Sequence, residues 1–510
     1  MVSAVNIPSL FSLRKKRLTQ KRPFVDVDKQ EWAWAGMFLL SMALLGLKFP
    51  FAIVFVGIIM INRLSHNMYD FVIMLTILCG GFGFLSDESL PIKPQDIAML
   101  GAVAALFFYR KPLIVKLTVL SIALYGIALL ILSLFSSESV SIQLRTMRNY
   151  LCFIYFIIPI VLFSGREFRF ETFCRKLVPY AIVICIFYII DGFILSGNFF
   201  VPRTRQWGAL STFFHPNIRP FSFIMARKYP PGLYLLVLCL LPSIRMYRFR
   251  PWQWAVIILA LMSSKTFTVI SGFVFAYFLF QKSYKRILKY GIFASFILFG
   301  LYIVDSTMPI KTEGDLATST LRIKSSVDQF FTLKNATDEQ EIANFGSGRF
   351  AQVMPNLEII DKEGRHLTGL GFLHQKYTKT RRYQITNEYY YDISDNEEVA
   401  GKVEIIPLQI YLHVGLIGLA VHCLFLLSLY MLIRRLDHAS YFLSVMFCLI
   451  WFGLGGFAGL IYFHGLSLLA LAYSAVILDN REKIKGFSTP WIKAKMKDFR
   501  SRGIWNVNHR

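Results

Sequence analysis

The chain has 510 residues, of which 55% are hydrophobic and 17% are Asp, Glu, Lys or Arg, and its mean hydropathy is +0.51. A soluble domain carries about 25% charged residues and no long apolar runs, so these values exclude a soluble enzyme, a disordered protein and a secreted disulfide scaffold. The net charge of +24 indicates membrane topology rather than nucleic-acid binding, because the short cytoplasmic loops of membrane proteins collect Lys and Arg.

Apolar runs recur along most of the chain, and many approach the roughly 17–25 residues that a membrane-crossing helix needs. The predicted spans lie, in chain order, at 33–47, 49–62, 68–85, 96–109, 113–135, 147–164, 177–196, 231–244, 252–263, 265–280, 286–304, 405–433, 440–457 and 459–477. We therefore predict an all-α polytopic membrane protein with about 12–14 transmembrane helices. The first two spans alternatively form one span that is kinked around Lys48-Phe49-Pro50. We expect the first apolar run to remain in the mature protein as a helix.

The links between the predicted spans alternate between basic and non-basic sequence. The basic links are 62–66, 109–111, 166–176, 245–250, 281–286, 434–435 and the tail from 481. The positive-inside rule therefore places both termini in the cytoplasm. The resulting segments are a basic N-terminus at 1–32, a transmembrane bundle at 33–304, a large external loop at 305–404, C-terminal transmembrane helices at 405–477 and a basic tail at 478–510.

Two external segments have unusual charge. The link 196–230 carries five cations and no acid, against the rule that the other links obey. Contact with lipid headgroups explains this, and so does an outward-facing anion site, since the planar fork of Arg makes two parallel hydrogen bonds to phosphate. The loop 305–404 contains 16 of the 31 acidic residues, and a loop of this length is usually functional or a small domain.

Four polar elements lie at the predicted outer membrane face. They are Arg203-Thr-Arg205-Gln-Trp-Gly-Ala-Leu-Ser-Thr-Phe-Phe-His215-Pro216-Asn217; Ser263-Ser264-Lys265-Thr266; Gly346-Ser347-Gly348-Arg349-Phe350 followed by Leu367-Thr368-Gly369-Leu370-Gly371-Phe372; and Glu404-Ile-Ile-Pro-Leu-Gln409-Ile-Tyr-Leu-His413-Val-Gly415-Leu-Ile-Gly418-Leu419. Their order and topology resemble those of the O-antigen polymerase and O-antigen ligase family of polytopic membrane glycosyltransferases, over about residues 203–419. Two positions depart from the family pattern: Lys265 stands where Arg is commoner, and Glu404 stands in the place of the ligase His.

The resemblance implies a GT-C-like helical bundle with a large periplasmic loop between the late helices, in the inner membrane of a bacterium. Such an enzyme transfers a polyprenyl-diphosphate-linked oligosaccharide to a saccharide acceptor at the periplasmic face during the synthesis of surface polysaccharide or lipopolysaccharide. The expected partners are this donor, the acceptor, the lipid bilayer and a chain-length regulator protein, without nucleic acid.

The candidate site residues follow from the chemistry of this transfer. Fixed cations stabilise the diphosphate as it leaves, and the candidates for this role are Arg203, Arg205, Lys265 and Arg349. The acceptor hydroxyl benefits from a general base, and the catalytic candidates are Glu404, Arg349, His215 and His413. No clustered carboxylates indicate a metal site, so we expect a metal-independent, inverting reaction without a cofactor. Each candidate has a structural alternative: the cations can contact headgroups, and His413 can be a hydrogen-bonded core histidine.

Three other functions fit part of the sequence. A lipid-linked oligosaccharide flippase usually has about fourteen spans, but transporters are often built from internal repeats, and no repeat is visible here. Another lipid-dependent glycosyltransferase would carry acidic residues in the first external loop. Asp87-Glu88 are candidates there, but no further acid supports them as a metal-binding pair. A ligase rather than a polymerase is the third, within the same family.

Overall fold

The computed structural model describes residues 23–46, 51–79, 94–108, 112–135, 140–190, 247–262, 405–454 and 459–488, with parts of 279–299 and 357–372. Within these residues the secondary structure is helical, and the only β-type pairing described is one isolated bridge between Phe24 and Arg248. The prediction of an all-α chain is confirmed for the described residues.

The helices named below are numbered in chain order. They are α1 Lys29–Gly46, α2 Ala52–His66, α3 Met68–Cys79, α4 Pro94–Phe108, α5 Leu113–Ser133, α6 Val140–Tyr150, α7 Ile157–Leu162, α8 Phe170–Ile189, α9 Pro251–Met262, α10 Ile406–Ile433, α11 Ala439–Leu454, α12 Gly459–Asp479 and α13 Arg481–Ser488. A 3₁₀ segment, Cys152–Phe156, lies between α6 and α7.

Helices occupy the predicted spans wherever those spans fall in described residues, although α8 begins seven residues earlier than predicted. The predicted spans 231–244, 265–280 and 286–304 lie wholly or mostly outside the described residues. The apolar runs do not predict two of the helices: α6, which begins in the link before span 147–164 and enters that span, and α13, which lies in the predicted tail. Among the described helices, α5 and α10 are by themselves long and apolar enough to cross a membrane.

The first two predicted spans form two separate helices. The guanidinium of Arg63, near the end of α2, lies 4.2 Å from the ring centroid of Trp34, near the start of α1. This contact requires the two helices to run antiparallel beside each other. The alternative of one span kinked around residues 48–50 is therefore wrong.

The predicted span 147–164 is interrupted. Helix α6 ends at Tyr150, the chain tightens into the 3₁₀ segment, and α7 resumes a helical path. Pro159 explains part of this, because proline has no N–H to donate and its ring clashes with the carbonyl four residues earlier, that of Tyr155. The interruption packs into the bundle, where the ring of Phe153 lies 5.3 Å from that of Tyr473.

Helix α12 lies in the centre of the bundle. Every residue from Leu466 to Leu478 is buried, including Ser467 and Ser474. A helix that is apolar on all sides is stable only when other helices surround it. The hydroxyl of Tyr473 meets that of Thr118 on α5 at 2.7 Å, so the largest polar group in this stretch has a hydrogen-bond partner.

Polar contacts between links occur at two ends of the bundle. At one end, Val25 N–H donates to the carbonyl of Arg248 (2.9 Å), Phe170 N–H donates to Asp479 (3.0 Å) and Arg481 donates to the carbonyl of Phe163 (2.9 Å). At the other end, Arg148 pairs with Asp96 (2.7 Å) and Arg365 donates to the carbonyl of Phe135 (2.6 Å). Each of these contacts joins segments that the charge pattern assigns to the same side.

Candidate functional site

Helix α10 is broken at Gly415, whose backbone angles are φ 65° and ψ −168°. In a continuous helix, the N–H groups of Leu416 and Ile417 would donate to the carbonyls four residues earlier, those of Leu412 and His413. The break separates these donors from these acceptors. Four backbone polar groups in a mostly buried segment therefore need other partners.

A short loop supplies those partners. We name residues 363–372 the glycine loop. Its four hydrogen bonds to α10 run from Leu370 N–H to the carbonyl of Leu412 (2.7 Å), from Gly371 N–H to that of His413 (2.9 Å), from Leu416 N–H to that of His366 (2.9 Å) and from Ile417 N–H to that of Leu367 (3.2 Å). Two intrahelical bonds are thus replaced by four bonds to the loop.

Two glycines make this docking possible. An added Cβ on Gly369 would lie 2.5 Å from the backbone nitrogen of Gly415, and one on Gly415 would lie 2.3 Å from the carbonyl oxygen of Leu367. Both residues also have positive φ, 74° and 65°, which L-residues with a side chain rarely adopt. Only glycine at both positions lets the two backbones approach this closely.

The docking brings together two of the four polar elements of the sequence. The segment Leu367–Phe372 belongs to the third element and His413–Gly415 belongs to the fourth, and they are joined backbone to backbone. The side chain of Arg365 fixes the same loop to the C-terminal end of α5 through the carbonyl of Phe135. The glycine loop, the start of α10 and the end of α5 therefore form one surface at one end of the bundle.

His413 lies inside the bundle at this end. Its residue is 7% exposed, its Nδ1 lies 2.8 Å from the hydroxyl of Tyr150, and its ring packs 5.7 Å from that of Phe372 in the glycine loop. The residue is thus a buried, hydrogen-bonded histidine beside the helix break. Its role in catalysis stays a prediction.

A second buried pair adjoins the first. The hydroxyl of Tyr125 lies 2.6 Å from Nδ1 of His422, and the ring of His422 meets the ring of Tyr150 edge-on at 6.5 Å. Sequence reasoning did not identify these residues as site candidates. His413 and His422 are nine positions apart, which is about two and a half turns of a continuous helix. Their side chains would then point in opposite directions. The break at Gly415 removes that constraint, and no periodic pattern could have shown it.

A partly exposed group of three side chains lies on the same surface: Asp361, His366 of the glycine loop and the half-buried Tyr411 of α10. The Nδ1 of His366 lies 2.5 Å from the hydroxyl of Tyr411, and its Nε2 lies 2.6 Å from Oδ1 of Asp361. The side chains of His366 and Asp361 are 43% and 65% exposed. Sequence reasoning missed this group, although His366 stands directly before Leu367. A histidine five residues after an aspartate in a polar loop is too common to be a signal.

Arg148 is a cation at this end of the bundle whose charge is already matched. Its Nη1 lies within 2.8 Å of both carboxylate oxygens of Asp96, and both side chains are about four-fifths buried. The pair connects α6 to α4 and does not form an open anion site.

The other candidates from the sequence lie outside the described residues. These are Arg203, Arg205, His215, Lys265, Arg349 and Glu404. Among the residues that the structure describes, no group of three or more His, Cys, Asp or Glu side chains is arranged to hold a metal ion.

Comparison of the chain with protein-family models, with curated proteins and with solved structures gave no match. The function proposed below therefore depends on the sequence elements and on the geometry described above.

Proposed function

We propose that this chain is a polytopic membrane glycosyltransferase of the O-antigen polymerase type. It transfers a polyprenyl-diphosphate-linked oligosaccharide to a saccharide acceptor at the periplasmic face of a bacterial inner membrane. The observation that carries the proposal is the docking of the glycine loop into the break of α10. Two sequence elements that the resemblance assigns to one active face are here in contact, although about forty-five residues separate them in the chain.

The outer surface of α5 supports a membrane location. Apart from Lys116 near its start, the exposed residues of α5 form an apolar stripe at alternating spacings of three and four that continues one residue past its end: Leu117, Leu120, Leu124, Ile127, Ile131 and Leu134. Its buried residues follow the same spacing: Val115, Thr118, Ile122, Tyr125, Leu129 and Leu132. A helix on the surface of a soluble protein would carry polar residues on its exposed face. An exposed apolar stripe along about 30 Å of helix is instead typical of contact with lipid.

The two ends of the bundle support the proposed orientation. The end where the predicted cytoplasmic links meet carries exposed cations next to the ends of several helices, among them Arg169, Arg250 and Arg434. The end with the glycine loop carries the start of α10 and the end of α5. Under the positive-inside rule the first end faces the cytoplasm and the second faces the periplasm. The proposal therefore keeps both termini in the cytoplasm and about 12–14 spans.

The helix break has a physical rationale at a membrane site. Non-helical backbone is tolerated at membrane depth only where protein buries it or where it lines a cavity. The glycine loop satisfies this requirement and fixes a polar surface at the mouth of the bundle. The donor diphosphate is then held by Arg203, Arg205, Lys265 and Arg349, while the acceptor attacks the anomeric carbon and inverts it. The resemblance leaves Glu404, His215 and His413 as candidates for the base.

The test is transfer by the purified protein in liposomes. We expect polyprenyl-diphosphate-linked oligosaccharide to give a longer lipid-linked saccharide, with one polyprenyl diphosphate released per bond formed. Transfer only to a lipopolysaccharide core would identify a ligase. Absence of both products, with the donor present on the periplasmic side, would contradict the proposal.

A flippase for the same lipid is the second candidate function. Transporters build their sites from interrupted helices near the middle of the membrane. Here the interruption that follows Tyr150 and the break that follows His413 face each other through a hydrogen bond between these two side chains. Translocation of a fluorescent lipid-linked oligosaccharide across liposomes without formation of new glycosidic bonds would favour this function.

A further inference from the structure

We infer that Tyr411, His366 and Asp361 form a proton relay that accepts the proton of the attacking acceptor hydroxyl. The inference rests on the proposed glycosyl transfer and names the group that acts as its base. The three side chains are connected in sequence, with 2.5 Å between the hydroxyl of Tyr411 and Nδ1 of His366 and 2.6 Å between Nε2 of His366 and Oδ1 of Asp361. They are the titratable groups that contact His366 in the described structure.

The proposed relay requires one arrangement of protons on these three side chains. An ionised carboxylate only accepts hydrogen bonds, and a neutral imidazole has one N–H and one acceptor nitrogen. In this arrangement Nε2–H of His366 donates a hydrogen bond to Asp361, and Nδ1 of His366 accepts a hydrogen bond from the hydroxyl of Tyr411. A hydroxyl whose proton points at an imidazole, with that imidazole oriented by a carboxylate, is the arrangement that serine hydrolases use to move a proton.

The relay accounts for the proton that an inverting transfer releases. As the acceptor oxygen bonds to the anomeric carbon, the bond from that carbon to the diphosphate oxygen breaks and the diphosphate leaves with the electron pair. The acceptor proton passes to the oxygen of Tyr411, whose own proton moves to Nδ1 of His366. Asp361 stabilises the imidazolium that results. Tyr411 is the catalytic residue in this scheme, and His366 and Asp361 act through it.

Exposure separates this group from the buried histidines. The side chains of His366 and Asp361 are 43% and 65% exposed, whereas His413 and His422 are 7% and 2% exposed. Tyr411 is half-buried and keeps part of its surface open to an acceptor that arrives from water, whereas the two buried histidines do not. A partly exposed set of three connected groups also contributes little to stability, so stability alone does not explain the arrangement.

The helix break holds the relay in position. The carbonyl of His366 accepts a hydrogen bond from Leu416 N–H at 2.9 Å, immediately beyond the break, while Tyr411 lies four residues before Gly415 on the same helix. Both ends of the short contact between His366 and Tyr411 are therefore attached to one docked unit. Fixed geometry of this kind is what proton transfer in a transition state requires.

The experiment measures turnover and its pH dependence in liposomes for wild type, Tyr411→Phe, His366→Gln, Asp361→Asn and Asp361→Glu. We expect kcat to fall roughly 100-fold or more in the first two variants, within the range that general bases contribute, with the KM for the lipid donor unchanged. In wild type kcat should fall toward acidic pH, because a relay that is already protonated cannot take up the proton of the acceptor hydroxyl. His366→Gln should abolish that limb, and Asp361→Glu should restore part of the activity that Asp361→Asn loses.

Glu363→Gln is the matched control, since it neutralises another exposed carboxylate two residues after Asp361 and should leave turnover unchanged. Unchanged kcat in both Tyr411→Phe and His366→Gln would overturn the relay. So would a lower kcat that keeps the wild-type pH profile, because that is the result of a structural role. Loss of turnover in Glu404→Gln, with both relay variants active, would make Glu404 the base. A wild-type protein that transfers no sugar would overturn the proposed function, and the relay with it.

Discussion

At the scale of single residues, the docking of the glycine loop depends on a close backbone contact between Gly369 and Gly415. Each has positive φ, and each backbone occupies the space that a Cβ on the other would need. The two requirements act together, because a side chain at either position both strains its own backbone and displaces the other segment. Gly364, in the same loop, has a positive φ of 65° but no close neighbour, since no atom lies within 4 Å of an added Cβ.

Alanine substitutions test this difference. Gly364→Ala should lower the free energy of unfolding by about 1–2 kcal/mol, the usual cost of left-handed backbone in an L-residue. Gly369→Ala and Gly415→Ala should each cost about 1–3 kcal/mol more, because overpacking adds to the strain. Thermal or denaturant unfolding of the detergent-solubilised protein measures both effects. Equal losses for Gly364→Ala and Gly415→Ala would show that the loop does not dock as described.

The proposed diphosphate ligands are the second residue-scale test. Arg349→Ala and Arg205→Ala should each reduce polymer formation 10²–10³-fold, because a preorganised donor contributes about 3–4 kcal/mol to the transition state. Arg349→Lys should recover only part of the activity, since it keeps the charge and loses the two-pronged hydrogen bonding. Polymer synthesis in membranes with equal protein levels measures this.

Arg250→Ala is the matched control for these arginines. Arg250 is an exposed cation at the opposite end of the bundle, 3.8 Å from Asp26. Its removal should leave synthesis unchanged. Near-normal polymer in both Arg349→Ala and Arg205→Ala would remove these residues from the site.

At the scale of helices, two buried ion pairs connect four elements. Lys176 on α8 pairs with Glu31 on α1, and Arg63 on α2 lies 3.6 Å from Asp70 on α3. All four side chains are at most 14% exposed. Breaking a buried pair leaves one charge without compensation in a medium of low dielectric. These pairs therefore fix α8 against α1 and α2 against α3.

Removal of one partner should be costly and removal of both should not. Lys176→Met should lower the free energy of unfolding by about 3–5 kcal/mol, because the carboxylate of Glu31 stays buried and unpaired. The double variant Lys176→Met with Glu31→Gln should recover most of that loss. Denaturant unfolding of the three proteins measures the effect.

The pair between Arg169 and Glu167 is the exposed comparison. Its side chains are 70% and 71% exposed, and the Arg169 guanidinium lowers the pKa of the Glu167 carboxyl below its ordinary value through a hydrogen bond. Exposed pairs contribute little because water and salt screen them. Glu167→Gln should leave the unfolding midpoint unchanged. A double variant that is no more stable than Lys176→Met alone would contradict the role of the buried pair.

Sequence reasoning predicted the helices better than it predicted their interruptions. Apolar runs decide where most of the helices form, and the described helices other than α6 and α13 lie at those runs. The docking of the glycine loop was beyond such reasoning, since helical periodicity contains no information about a contact between Gly369 and Gly415. The relay was missed for a related reason: Asp361 and His366 form a connected group with Tyr411 only in the folded chain, where α10 places Tyr411 beside His366.

At the scale of the whole molecule, the apolar surface and the polar ends are separated. Helix α12 is buried on all sides from Leu466 to Leu478, α5 exposes an apolar face, and the links meet at two opposite ends. This is the distribution expected of a bundle surrounded by lipid, with polar groups in water on both sides. The proposed site lies on one side of such a bundle, because the glycine loop and the relay lie at one end and α13 lies at the other.

Single cysteines placed at the two ends test this arrangement. Glu363 in the glycine loop and Glu482 in α13 are both exposed. In intact cells, a membrane-impermeant maleimide should label Glu363→Cys and should label Glu482→Cys only after the membrane is permeabilised. The wild-type chain gives the background, since five of its six described cysteines are buried and Cys423 lies on the apolar helix α10. Labelling of Glu482→Cys in intact cells would reverse the orientation and place the relay in the cytoplasm, away from any periplasmic donor.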